Sequence, residues 1–344
     1  MTSESHFLYP PNARCGVWIT HADWTGWTLD RCAASAAGVT PDAGTAAAAS
    51  PEVETGHPFS NLVASWNADT PPGTSIEADV RARIGDRWTN WYIMGRWAGP
   101  GTGSSVDHQK DADGDVDVDT LRLNAPANAA QMRVRFTGAG DTVARLTLAS
   151  LCWENPAAPA PAPPALVDGW ARTLPVPPSS QMVQACSNPG SICSPTSLSM
   201  VLRYCGVACQ PLDAVRGVHD TASDMYGNWP LNTAYAGSCG CPSFVARFTC
   251  LEQVQNEIAA GHPVITSIRF SKGELAGAPI SRSRGHLVVV VGFTPAGNVV
   301  VNDPAAPSEA SVRRVYLRDQ FTHAWIGGSG GIVYLVAPEK RGSR

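Results

Sequence analysis

Asn155-Pro156-Ala157-Ala158-Pro159-Ala160-Pro161-Ala162-Pro163-Pro164-Ala165 divides the 344-residue chain. Proline donates no N–H and fixes φ, so a run in which it alternates with alanine joins neither helix nor sheet. Such a run extends as a semi-rigid polyproline II spacer. What lies on either side must bury its own core, and each side is long enough to do so. The expected organisation is a domain at residues 1–153, a linker at 154–168 and a second domain at 169–344.

The first part reads as all-β. Ile76, Ala78, Val80, Ala82 and Ile84 alternate with Glu77, Asp79, Arg81 and Arg83, and Met132, Val134 and Phe136 alternate with Arg133 and Arg135. A period of two means strands with one wet face. Leu121 and Leu123, Leu146 and Leu148, and residues 62–66 mark further strands between turn-rich gaps. Several short strands so spaced predict a sandwich-like domain. Eight of the eleven tryptophans lie here: Trp18, Trp24, Trp27, Trp66, Trp88, Trp91, Trp97 and Trp153. A tryptophan-lined face would stack on a peptide, a polysaccharide or a cell-surface ligand, but filling the core is the simpler use. Asp111, Asp113, Asp115, Asp117 and Asp119 alternate and invite a calcium reading. An EF-hand wants glycine after the third acidic position, whereas Gly114 precedes it, so a solvated turn into an acidic strand face is expected.

After the spacer the signals mix. Leu198, Val201, Leu202 and Cys205 follow i, i+3, i+4, i+7, a helix with one buried face. Pro195 suits its first turn and Gly206 the position past its end. Cys193 therefore stands at a helix N-terminus, where unpaired N–H groups and the macrodipole favour a thiolate. Residues 285–293 (Gly285, His286, then an apolar run to Phe293) read as a strand buried on both faces. A turn at 294–298 leads to a short strand, Val299-Val300-Val301-Asn302, closed by Asp303-Pro304. Pairing Phe293 with Asn298 sets Asp303 across from Val288, on the sheet face of His286; a one-residue slip would separate them. That parity permits a nucleophile, a base and an orienting carboxylate: Cys193, His286 and Asp303. Thr249 and Glu252 make a capping box for a helix through Leu251, Val254 and Ile258, closed by Gly261. Strands follow at 263–268, 313–317 and 331–336, so this part is α+β, helices first and a largely antiparallel sheet after.

The net charge of −4, with 16% charged residues, leaves no electrostatic footprint for nucleic acid. No apolar run approaches the roughly 20 residues of a membrane span. Residues 1–7 show neither the basic start nor the apolar core of a secretory signal. The ten cysteines instead favour an oxidising, extracellular setting, so compartment stays open. Spacing suggests local disulfides, Cys15 with Cys32, Cys205 with Cys209, and Cys239 or Cys241 with Cys250. A zinc site at Cys239, Cys241 and Cys250 is the weaker alternative, because C-x-C departs from structural zinc spacing. Nothing in the sequence calls for a cofactor.

Gln181-Met182, Cys193-Ser194-Pro195-Thr196-Ser197, residues 285–293 and Asn302-Asp303-Pro304 together resemble the bacterial papain-like cysteine peptidases related to the double-glycine leader (bacteriocin-processing) peptidases. The similarity is strongest over 174–337, while Asn61 to Asn67 and Trp91 to Trp97 resemble the N-terminal part of longer relatives. The resemblance implies a papain-like fold, a peptide or protein substrate, Cys193 as nucleophile, His286 as base and Asp303 as orienting acid. It also implies a preceding glutamine as oxyanion donor, Gln181 by its context, with Gln184 the alternative. Transporter-coupled relatives carry membrane and ATPase domains, and neither is seen in these residues. A thiol amidase or acyltransferase, or a catalytically silent binding protein on the same fold, are the alternative readings.

Overall fold

The computed structural model describes residues 14–18, 21–106, 108–138, 141–155 and 159–338. The N-terminal half is built on two long strands, Val53–Asp69 and Thr120–Thr137. At about 3.3 Å per residue each would run well past 50 Å if straight, too far for one layer of a small unit. They bend instead at bulges. The register of Thr120–Thr137 on Val53–Asp69 shifts between Arg122 and Ala127 and again before Ala129. Its second half pairs Ala129 to Thr137 with Ser75–Ile84 on one edge, and Arg133 to Phe136 with Ala46–Ala49 on another. The twelve strands are thereby one continuous, barrel-like sheet rather than the two facing sheets of the expected sandwich. The alternation in the sequence was sound, but each bulge breaks the period and makes one long strand look like two short ones.

Six of the eight tryptophans in this half are core: Trp18, Trp24, Trp27, Trp66, Trp97 and Trp153. Trp88 and Trp91 are half-buried, and guanidinium groups already cover their faces. Arg81 lies 4.6 Å from the centroid of each, and Arg133 lies 4.4 Å from that of Trp91. Cation–π stacking thus already occupies part of both ring surfaces. The five alternating aspartates each have a separate use. Asp111 accepts from Tyr92 and from the backbone of Asp113 and Gly114, Asp113 binds Arg87, Asp115 faces Lys110, and Asp117 pairs with Arg122. Asp119 turns inward to the second half of the chain.

That second half is a helical layer on a six-stranded antiparallel sheet, Ser243–Arg247, Ile332–Val336, Val264–Phe270, Ser283–Phe293, Val299–Asn302 and Arg313–Tyr316 in spatial order. The helix Cys193–Tyr204 is buried all round from Ser194 to Leu202, not on one face only. The helix Leu251–Ala260 ends at Gly261 in the left-handed region (φ 93°) as expected. Its capping side chain is Gln253, which accepts from the N–H groups of Thr249 and Cys250. Glu252 ion-pairs with Arg318 instead.

The two halves meet along the strand Ser243–Arg247. Asn67 reads its backbone with both ends of one amide: Oδ1 accepts from Ser243 N–H at 2.8 Å, and Nδ2 donates to Ser243 O at 2.8 Å and Thr233 O at 3.2 Å. Ser65 Oγ accepts from Val245 N–H, and Arg247 pairs with Glu154 at 3.0 Å while 3% exposed. The residues 61–67 singled out in the sequence therefore form a joint.

The structure groups the cysteines differently from their spacing. Cys15 lies opposite Cys152 rather than beside Cys32, and Cys205 neighbours Cys241. Cys250 bonds Gln253 at the start of its own helix, so the trio Cys239, Cys241 and Cys250 is not gathered. Among the described residues no group of three or more His, Cys, Asp or Glu side chains converges as a metal site would need.

Candidate active site

Cys193 is the first residue of the helix Cys193–Tyr204, with Ile192 at the N-cap and Pro195 in the opening turn. Ile192 offers no side-chain acceptor, so the first-turn N–H groups keep their partial positive charge beside the sulfur. Buried hydrogen bonds hold the helix in place. Ser194 Oγ donates to Asn232 Oδ1 (2.8 Å) and bonds the Tyr334 hydroxyl (3.0 Å), while Ser197 Oγ donates to Leu287 O (2.9 Å). The last of these ties the cysteine helix to the strand that carries His286.

His286 stands on Ser283–Phe293 opposite Ile268, 2% exposed. Its partner strand begins one residue later than expected, Phe293 facing Val299 and Gly292 facing Val300. A bulge between Val290 and Gly292 removes that offset, so Val289 faces Asn302 and Asp303 falls across from Val288 after all. The bulge has a local cause. Arg172 to Leu174 runs against Gly292, with Leu174 N–H on Val291 O and Phe293 N–H on Arg172 O. A Cβ on Gly292 would lie 2.1 Å from Arg172 O.

His286 Nε2 and Asp303 Oδ1 are 2.8 Å apart. Nδ1 is not engaged by Asp303, and the Cys193 thiol lies beside the ring and the Leu287 backbone. Asp303, 1% exposed, also takes the Tyr316 hydroxyl on Oδ2 at 2.6 Å and Ala305 N–H on Oδ1 at 3.0 Å. The electrostatics follow from these contacts. Burial by itself raises the Cys193 thiol, but the hydrogen bond and charge of His286 outweigh it and bring the thiol below its ordinary value. Burial works to lower His286, yet Asp303 and Cys193 carry it up to about 10. Burial raises Asp303, and the His286 ring, the Tyr316 hydroxyl and Ala305 N–H bring it below the usual carboxylate range. The arrangement therefore favours a thiolate–imidazolium pair with a carboxylate behind it.

Gln181 begins a 3₁₀ turn whose N-cap Ser180 anchors to Ala306 O, and its own N–H reaches Pro304 O at 2.8 Å. The side chain is 2% exposed, and its Nε2 donates to Pro189 O in the loop just before Cys193. The Gln184 side chain donates to Ser180 O. Asn232 lies in the stretch Asn228 to Tyr235, which reads from sequence as a turn into a helix near the cleft, whereas Tyr316 and Tyr334 carry no spacing signal, being hydroxyls in ordinary strand positions.

Cys193 opens onto a cleft of about 1340 Å³ shared by the two halves. Asn188, Tyr226, Trp229 and Gly285 line it from the C-terminal half, and Asn61, Asp119 and Glu154 from the N-terminal half. Asp119 accepts the N–H of Trp229 at 2.8 Å, and burial pushes its carboxyl up to about 6 against that bond and the Thr120 hydroxyl. The turn into the helix Trp229–Ser238, with Asn228 as cap, is thus a cleft wall.

Two family models describe consecutive parts of the chain. Residues 12–152 match the peptidase C39 N-terminal domain, and residues 173–331 match the peptidase C39-like family. The chain is thus similar to peptidase C39 and C39-like proteins in both of its halves. Among solved structures, a double-glycine motif protease from an AMS/PCAT transporter, determined in complex with the leader peptide, is 18% identical. It aligns over 50% of this chain and 96% of its own with a TM-score of 0.34, too loose a likeness to bear on function. The comparison with curated proteins returned no match. The boundaries of the two matches fall on either side of the proline–alanine spacer in this C39-like chain.

Proposed function

We propose that this C39-like chain is a cysteine peptidase acting through Cys193, His286 and Asp303, with domains at 1–153 and 169–344 joined by the linker 154–168. The observation that carries the reading is a buried His286–Asp303 pair 2.8 Å apart, with the Cys193 thiol beside its imidazole at an open cleft. The Cys193 thiolate attacks a peptide carbonyl and His286, as imidazolium, protonates the leaving amine. Water then attacks the acyl-enzyme with His286 as base, returning the thiol. The Cys193 N–H and the Gln181 side-chain amide hold the oxyanion, an interaction worth about 3 kcal/mol per donor. Asp303 keeps the ring in the tautomer that presents Nδ1 to sulfur. The N-terminal half supplies part of the cleft wall, which makes it a share of the peptide-binding site rather than a detached carbohydrate module.

The test pairs chemistry with labelling. The chain is incubated with a proteome-derived peptide library and cleavage products are mapped by mass spectrometry, for wild type and Cys193→Ala. In parallel, limiting iodoacetamide near pH 6 should label Cys193 ahead of the other nine cysteines, and His286→Ala should abolish that preference. Cleavage surviving in Cys193→Ala, or labelling spread evenly over the thiols, overturns the assignment.

A further inference from the structure

Nine cysteines take no part in the proposed chemistry, and four of them meet in sulfur-facing pairs that spacing along the chain conceals. The strand Cys15–Trp18 runs antiparallel to Arg145–Glu154 with Cys15 directly opposite Cys152. Trp153 N–H bonds Arg14 O at 3.1 Å, the bond one step outside the pair. That makes Cys15 and Cys152 a non-hydrogen-bonded pair, the type in which opposite Cα atoms approach to about 4.5 Å and side chains share one face. A disulfide accepts Cα separations of about 4.4–6.8 Å. Cys205 is the C-cap of the helix Cys193–Tyr204, and Cys241 follows the helix Trp229–Ser238. Their thiols are neighbours across the join between the two helices' ends, close enough that Cys241 shifts the Cys205 thiol. The other neighbouring thiols meet oxygen instead: Cys32 reaches Asp30 O and Ala47 O, Cys209 the Tyr235 hydroxyl, and Cys250 the Gln253 side chain, while Cys239, next to Cys241, faces the Tyr235 and Ser238 hydroxyls.

We propose that Cys15–Cys152 and Cys205–Cys241 are the disulfide pairs of this chain, while Cys193, whose neighbour is an imidazole, stays a thiol. The oxidant is a small-molecule disulfide such as oxidised glutathione. One cysteine thiolate attacks a sulfur of the oxidant, breaking its S–S bond and releasing one thiol. The second cysteine, losing its proton to solvent, attacks the mixed disulfide and releases the other, so each protein pair gives up two electrons and the oxidant takes them. Both bonds fasten cleft walls. The first ties the edge strand Cys15–Trp18, which Arg14 immediately precedes, to the strand that ends in Glu154, and both Arg14 and Glu154 line the cleft. The second ties the far end of the cysteine helix to the segment leading into Ser243–Arg247, the strand at the joint between the halves. The loops they close, roughly 140 and 35 residues long, are of a length at which cross-linking removes much unfolded-state entropy. Burial keeps the Cys152 thiol up at about 12, so little of it is thiolate in the folded chain and oxidation there is slow.

The full chain is therefore refolded in a glutathione redox buffer, its remaining thiols are blocked with N-ethylmaleimide, and unreduced digests are mapped by mass spectrometry. The expected result is one peptide pair joining Cys15 to Cys152, one joining Cys205 to Cys241, and a blocked Cys193. Cys205→Ser should free one extra thiol, located at Cys241. Reduction should lower the urea midpoint of wild type more than that of a Cys15→Ser/Cys205→Ser double variant. Recovery of any of the four as blocked thiols in folded wild type, or bridged to a different cysteine, refutes the pairing. The mapping is independent of whether the chain hydrolyses peptides.

Discussion

Replacing Tyr316 by phenylalanine removes one oxygen and leaves the ring in place, so it isolates a single hydrogen bond. That oxygen donates to Asp303 Oδ2 at 2.6 Å, with Tyr316 0% and Asp303 1% exposed. Water does not replace a donor lost there. A hydrogen bond to a charged group contributes about 1.5–3 kcal/mol. At 1.36 kcal/mol per pH unit, Asp303 in Tyr316→Phe should titrate about one to two pH units higher than in wild type. The sign follows from linkage. Asp303 is held below its unfolded value of about 3.9. Its contribution is therefore present above that pH and is lost as pH falls through the folded value. The variant should be less stable by about 2 kcal/mol at pH 7, and the difference should shrink as acid protonates the carboxyl in both proteins. Urea denaturation at pH 7, 5 and 3 measures it. A deficit that is the same at every pH would mean that the hydroxyl serves packing and not the Asp303 charge. No deficit at all would remove the phenol from the site.

Other outcomes follow from the same geometry. Asp303→Ala should leave slow turnover where Cys193→Ala leaves none, and equal total loss in steady-state assays would make Asp303 a residue of the fold only. In wild type the alkaline limb of kcat/KM should lie near the His286 value of about 10, and Asp303→Ala should bring it down, because the carboxylate is what opposes burial; an unmoved limb refutes that cause. Gln181→Ala should lower kcat about a hundredfold and Gln184→Ala should hardly change it, a contrast steady-state kinetics reads directly. Gly292→Ala must fit a Cβ 2.1 Å from Arg172 O, so it should cost about 3 kcal/mol of stability in urea melts, and an unchanged midpoint would show that the bulge relaxes freely.

How much of this was legible depends on the range over which each feature is encoded. The helix at Cys193 rests on spacing within a dozen residues, and it stands where that spacing put it. The antiparallel sheet was legible for the same reason. Its expected register was right at Asp303 and wrong at the turn, because the bulge between Val290 and Gly292 is imposed by Arg172 to Leu174, over a hundred residues earlier in the chain. The single curled N-terminal sheet was hidden by the same effect, since bulges cut the period-two pattern of its long strands. The cysteine groupings were beyond reach: the partner of Cys15 is set by which strand the sheet places beside it, and local spacing holds no trace of that.

Tyr316 marks the sharper limit. Its strand was anticipated, yet nothing about a tyrosine in a strand says that its hydroxyl meets a carboxylate. That contact exists because Val299–Asn302 pairs with Arg313–Tyr316 on one side and Ser283–Phe293 on the other. One short strand thus brings the donor, the carboxylate and the imidazole to a common buried point. The types of residue able to do the chemistry are written locally, and their convergence is a property of sheet order. A charged side chain as deeply buried as Asp303 survives only where that order supplies every one of its partners. The buried carboxylate and its full set of donors are therefore a stronger argument for a working site than the presence of cysteine, histidine and aspartate in the expected sequence order.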